Sequence, residues 1–108
     1  MAELSDSLRL LFERANALEE EGRPVGPGIS IGSTGERAMQ EAYALRRLAA
    51  HVMAGAEPSH AAKIAKREVR EIIVAHNRRR KGDVHWQVSE GAYDAAVDNW
   101  ADRVSRDA

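Results

Sequence analysis

Sulfur chemistry is closed to this chain: its 108 residues include no cysteine, which excludes a disulfide framework, a zinc–thiolate site, an iron–sulfur cluster and a thiol nucleophile. Aromatic residues are scarce, two Trp, two Tyr and one Phe. No run of about 18 apolar residues occurs, so no membrane-spanning helix is expected. Met1 to Asp6 has neither the basic flank nor the apolar stretch of a signal peptide, and the expected compartment is the cytoplasm. Neither sign of charge dominates, with 17 acids against 16 bases. What is present, 44% apolar and 31% charged residues, is the profile of one globular domain over residues 1–108. Such a length covers roughly two-thirds of its unfolded surface on folding, enough for one modest core. A large enzyme enclosing its substrate is not expected.

The balanced total hides a segregation. Residues 1–21 carry a net charge of -4, residues 82–108 also -4, and residues 63–81 carry +6. Half of all the basic residues therefore fall in one stretch of 19: Lys63, Lys66, Arg67, Arg70, Arg78, Arg79, Arg80 and Lys81. A local field of this kind forms an electrostatic footprint even when the net charge is near zero.

Apolar spacing predicts four helices. Leu4, Leu8, Leu11, Phe12, Ala15 and Leu18 recur on one face up to Gly22. The stretch from Gly22 to Gly35 holds five glycines and two prolines and reads as a loop, with a short strand at Ile29–Ile31. Ser33 with Glu36 has the capping-box spacing, and Ala38, Met39, Ala42, Leu45, Ala49, Val52 and Met53 mark a second helix closed by Gly55. Pro58 and Ser59 open a third, whose face is Ala61, Ile64, Ala65, Val69, Ile72, Ile73 and His76, ending before Gly82. Val84, Trp86 and Val88 alternate with His85 and Gln87 as a strand does. Ser89 then caps a fourth helix with the face Tyr93, Ala96, Val97, Trp100 and Val104, and Val88 and Tyr93 form a hydrophobic staple. The expected fold is mainly α, a small four-helix domain with a glycine-rich loop and one or two very short strands. A lone strand leaves its backbone groups unpaired, which favours pairing between Ile29–Ile31 and Val84–Val88 or across a homodimer.

Candidate chemistry is sparse. The loop lacks the Gly-Lys-Ser/Thr signature of a phosphate cradle. His51, His60, His76 and His85 are not spaced as metal ligands, so no metal or cofactor is expected. No nucleophile elbow or His-Glu pair appears, and the chain reads as a binding protein rather than an enzyme. Asp94, Asp98 and Asp102 form a carboxylate stripe at four-residue spacing that wants cations nearby, from the third helix of the same molecule or of a second one. In that case the basic region is structural.

Val84-His85-Trp86-Gln87-Val88-Ser89-Glu90, followed by Tyr93, Ala96, Val97, Trp100 and Arg103, resembles the strand and first helix of ribbon-helix-helix DNA-binding proteins. The resemblance covers about 21 residues, and the second helix of that family has no counterpart before Ala108. It implies that His85 and Gln87 face bases. Helices two and three offer a second possibility, a helix-turn-helix. Together these patterns lead to the expectation of a small regulatory or accessory DNA-binding protein, a homodimer whose residues Lys63 to Lys81 contact phosphates with Arg78 to Lys81 as anchor. The alternative is a protein-interaction module, such as an inhibitor, adaptor or assembly component, meeting an acidic protein surface or using its own acidic helices or glycine-rich loop.

Overall fold

The computed structural model describes residues 5–22, 33–79 and 93–107, and these form four helices. They are α1 (Asp6–Glu21), α2 (Ser33–Met53), α3 (Pro58–Arg79) and α4 (Asp94–Arg106). Both expected strands, Ile29–Ile31 and Val84–Val88, and residues 23–32 of the glycine-rich loop lie outside the described residues; Ser33, Thr34 and Gly35, expected in that loop, form the first turn of α2 instead.

Each helix end has a local cause. The Ser5 hydroxyl accepts from the Leu8 amide at 3.2 Å and caps α1. Gly22 follows its last turn, with its amide bonded to the Leu18 carbonyl. The α2–α3 turn is a Schellman motif: the Ala56 amide donates to the His51 carbonyl and the Gly55 amide to that of Val52, each at 3.0 Å. Gly55 takes φ 106°, a conformation that glycine adopts at no steric cost. Pro58 then occupies the first position of α3, where a missing amide hydrogen costs nothing.

Two boundaries differ from expectation. Helix α2 includes Ser33 instead of starting after it. Helix α4 starts at Asp94 with Tyr93 at the cap position and no side-chain cap bond, five residues beyond Ser89. Gly91, in the interval, costs a helix interior about 1 kcal/mol relative to alanine, so a start beyond it is favoured.

The four helices run alternately up and down. Glu19 near the end of α1 pairs with Arg46 of α2, while Ser7 at its start bonds α4 near its end. Helices α2 and α3 form an antiparallel hairpin, with Arg47 and His51 both reaching Glu68, and not the steep crossing of a helix-turn-helix. Helices α2 and α4 each pack on all three others, α2 the more extensively, whereas α1 and α3 are diagonal and share no contact among the described residues. Three neighbours widen the buried arc of α2: Ala44 and Leu48 join the expected Ala38, Ala42, Leu45 and Ala49. By contrast Met39 and Met53, assigned to the same face, are 41% and 58% exposed, Met53 at the last position of the helix and Met39 between the buried Ala38 and Gln40.

The core joins Leu8, Leu11, Ala15 and Leu18 of α1 to Ala61, Ala65, Val69 and Ile73 of α3 and Tyr93, Val97, Ala101 and Val104 of α4 through α2. Alanine recurs among the buried residues of α2 and α3; small side chains at a helix contact favour the close end of the usual 8–10 Å range of axis separations. The ends are tied as well: the Ser7 amide donates to Asp107 Oδ2 at 2.8 Å, and the Ser7 hydroxyl to the Arg103 carbonyl at 3.3 Å. The Ser7 amide and hydroxyl hold the Asp107 carboxyl below its ordinary range.

Replacing Gly55 with alanine is expected to destabilise the protein by about 1 kcal/mol, because the positive φ is retained and open space around the position adds no clash. Thermal unfolding checks it, with a drop of roughly 4–8 °C expected.

Candidate nucleic-acid interface

Helix α3 presents three sides. Ala61, Ala65, Val69 and Ile73 face the core. Glu68 faces α2, where its carboxylate accepts from Arg47 Nη2 at 2.7 Å and pairs with His51 Nε2. Lys66 faces α4 and bonds Asp98 Oδ1 at 2.9 Å. Lys63, Arg67 and Arg70, spaced four and three apart, follow one another along the exposed side.

The sequence-predicted cations therefore divide. Lys66, with 26% of its side chain exposed, is engaged by α4. Arg70 lies one turn further on and hydrogen-bonds the buried Tyr93, whose hydroxyl is pushed above its ordinary pKa by burial and by Asp94, against the opposing effect of Arg70. Lys63 and Arg67 are exposed and make no ion pair with a described residue. Arg78 and Arg79 occupy the last turn of α3. Arg80, Lys81, His85 and Gln87 lie outside the described residues, as do the strand and the turn that the ribbon-helix-helix resemblance rests on.

The register between α3 and α4 separates the two groups of cations. Tyr93 lies beside Arg70, so α4 begins at that level and α3 continues for nine more residues to Arg79. At 1.5 Å per residue, Arg78 is about 12 Å beyond Arg70 along the axis. The Asp94, Asp98 and Asp102 stripe thus flanks the body of α3 and not its tip. Asp98 is held by Lys66, and Asp102 by Arg106 at 2.7 Å within its own helix.

Residues Glu57, Ser59, Ala62, Lys63 and Lys66 of the α3 side and Asp98, Ala101, Asp102 and Ser105 of α4 line an open cleft of about 760 Å³. Its walls carry both signs of charge and its floor is alanine. Among the described residues no group of His, Asp and Glu is placed to hold a metal ion. No described helix is long and apolar enough to cross a membrane.

Sequence reasoning missed the Arg47–Glu68–His51 cluster, which joins the last two turns of α2 to the middle of α3. The only signal available for it was two basic residues and one acid on facing helices. Burial pushes the Glu68 carboxyl up, but hydrogen bonds from His51 and Arg47 outweigh it and hold that carboxyl below its ordinary range. No protein-family model, curated protein or solved structure matches this chain.

A carboxylate with a depressed pKa contributes stability above its unfolded pKa of about 4.3, and that contribution is lost as pH falls through the lower folded value. Replacing Glu68 with glutamine is expected to cost roughly 1 kcal/mol at neutral pH, since all three partners are partly exposed. The gap between wild type and variant, measured by urea unfolding, should narrow from pH 6 toward pH 3.

Proposed function

We propose that this protein binds nucleic acid, DNA in the first instance, through the tip of α3, with Arg78, Arg79, Arg80 and Lys81 on phosphates. The observation that carries this reading is the projection of α3 past the start of α4. A tip about 12 Å beyond the nearest α4 carboxylate level lies outside the screening length of about 8 Å at physiological ionic strength. Its field is therefore offset less by the acidic stripe than that of Lys66, which Asp98 holds. The other acidic helix, α1, is diagonal to α3.

Four like charges in sequence repel one another, and the helix dipole offsets only about 0.3–1 kcal/mol for each cation near a carboxyl end. A polyanion relieves that repulsion, and a duplex supplies one charge per about 1.7 Å. Arginine makes up 13 of the 16 basic residues; its planar fork binds phosphate bidentately. The neighbouring His85 and Gln87 extend the proposal to base edges, on the strength of their alternation with Val84, Trp86 and Val88 and of the family resemblance. An acidic protein surface is the competing occupant of the same tip. Exposed Met39 and Tyr43 on α2 and Ile72 on α3 favour such a partner more than a phosphate backbone.

Binding of a mixed-sequence duplex, followed by fluorescence anisotropy over a salt series, separates the two. Wild type should bind with a steep salt dependence, about 0.9 in log K per log salt for each phosphate contact. Changing Arg78, Arg79, Arg80 and Lys81 to alanine should reduce that slope by about 3–4 and weaken low-salt binding at least about a hundredfold. Absence of wild-type binding at low salt excludes the nucleic-acid reading and leaves the protein partner.

A further inference from the structure

We infer that the outer face of α3 and α4 is a self-complementary surface whose partner is a second copy of this chain. Side by side, the two helices present one basic and one acidic stripe. Lys63 and Arg67 on α3 are exposed and make no ion pair with a described residue. On α4, Asp98 and Asp102 keep 58% and 59% of their side chains exposed despite their bonds to Lys66 and Arg106. Carboxylates at four-residue spacing repel along a helix, and one cation from α3 does not satisfy the stripe.

Symmetry decides how such a pair of stripes meets its copy. A two-fold axis running along the seam, parallel to both helices, lays α3 of each copy on α4 of the other. A two-fold axis across the seam would set basic on basic and is excluded by charge. Rotation about the seam also leaves each residue at its own height. Because Lys66 is level with Asp98 within one chain, Lys63 comes level with Asp102 of the partner subunit, and Arg67 with Asp98 of the partner subunit. The register that builds the intramolecular seam thus builds the intermolecular one. The cleft between the helices, floored by Ala62 and Ala101, gives side chains of the second copy room to enter.

The area sets the expected strength. The 13 residues of α4 make the face about 20 Å long, and two helices make it about 20 Å across. That is on the order of 400 Å² per subunit, below the standard size of a permanent interface. The association is therefore weak, reversible and sensitive to salt. It also places the two α3 tips at the same end of the pair, so that the phosphate-binding residues proposed above act together; the dimer itself does not depend on that proposal.

Sedimentation equilibrium of the protein alone, without nucleic acid, tests it. At a concentration of about 200 μM the wild type should show a monomer–dimer equilibrium that weakens at least about tenfold between about 50 mM and 500 mM salt. A Lys63→Glu/Arg67→Glu variant and an Asp102→Lys variant, each confirmed as helical by circular dichroism, should both be monomeric. An equimolar mixture of the two should recover a dimer. A wild type that is monomeric at low salt overturns the inference, as does a dimer indifferent to salt, or a mixture of folded variants that stays monomeric. Should the wild type be monomeric while Lys63→Glu/Arg67→Glu loses duplex binding, the face serves phosphate and the inference likewise fails.

Discussion

Everything proposed for this protein depends on the wedging of α3 between α2 and α4, and that placement depends on small side chains. Ala61, Ala62 and Ala65 are buried on its inward side, as are Ala44 and Leu48 of α2 and Ala101 of α4. Larger residues there would push the axes apart. Close approach brings Glu68 within reach of Arg47 and His51 on one flank and Lys66 within reach of Asp98 on the other. The charges of α3 are thereby sorted by direction and by height. Glu68 and Lys66 are drawn into pairs with α2 and α4, while Lys63 and Arg67 make no ion pair with a described residue and the last turn of α3 lies beyond the start of α4.

Electrostatics and packing thus divide the labour. The apolar core, one contiguous cluster from Leu8 to Val104, supplies most of the stability, as is usual for a domain of this size. Partly exposed ion pairs contribute little each, but they fix which cations remain available. A basic count taken from the sequence overstates the binding surface, because Lys66 and Arg70 are occupied in the seam. Position along the helix sets the last turn apart: Arg78 and Arg79 lie beyond the level at which α4 begins.

The helices were legible in the sequence because their signals are local: the Gly22 and Gly55 stops, the Pro58 start and the apolar spacing of α1 correspond to observed features, as does that of α3 at Ala61, Ala65, Val69 and Ile73, though Ile72, expected on the same face, is exposed. Less legible was the burial of α2. A 3.6-residue period marks a single stripe, whereas a helix with three neighbours buries Ala44, Leu48 and even Gln40, which carry no such pattern. The start of α4 at Asp94 is later than the expected start after Ser89, which lies outside the described residues. As for the site, the basic cluster was visible as composition. Its division into paired and unpaired cations was not, since that follows from the register between α3 and α4, a long-range property. The cluster of Arg47, His51 and Glu68 was invisible for the same reason.

Backbone amide shifts, followed by NMR as a short duplex is added, test the central claim most directly, since they report every segment of α3 at once. The account predicts that the largest changes fall in the last turn of α3, around Arg78 and Arg79 and the residues that follow, with those of Lys63 and Lys66 small. Changes concentrated at Lys63 to Arg70, with the tip unaffected, would contradict it.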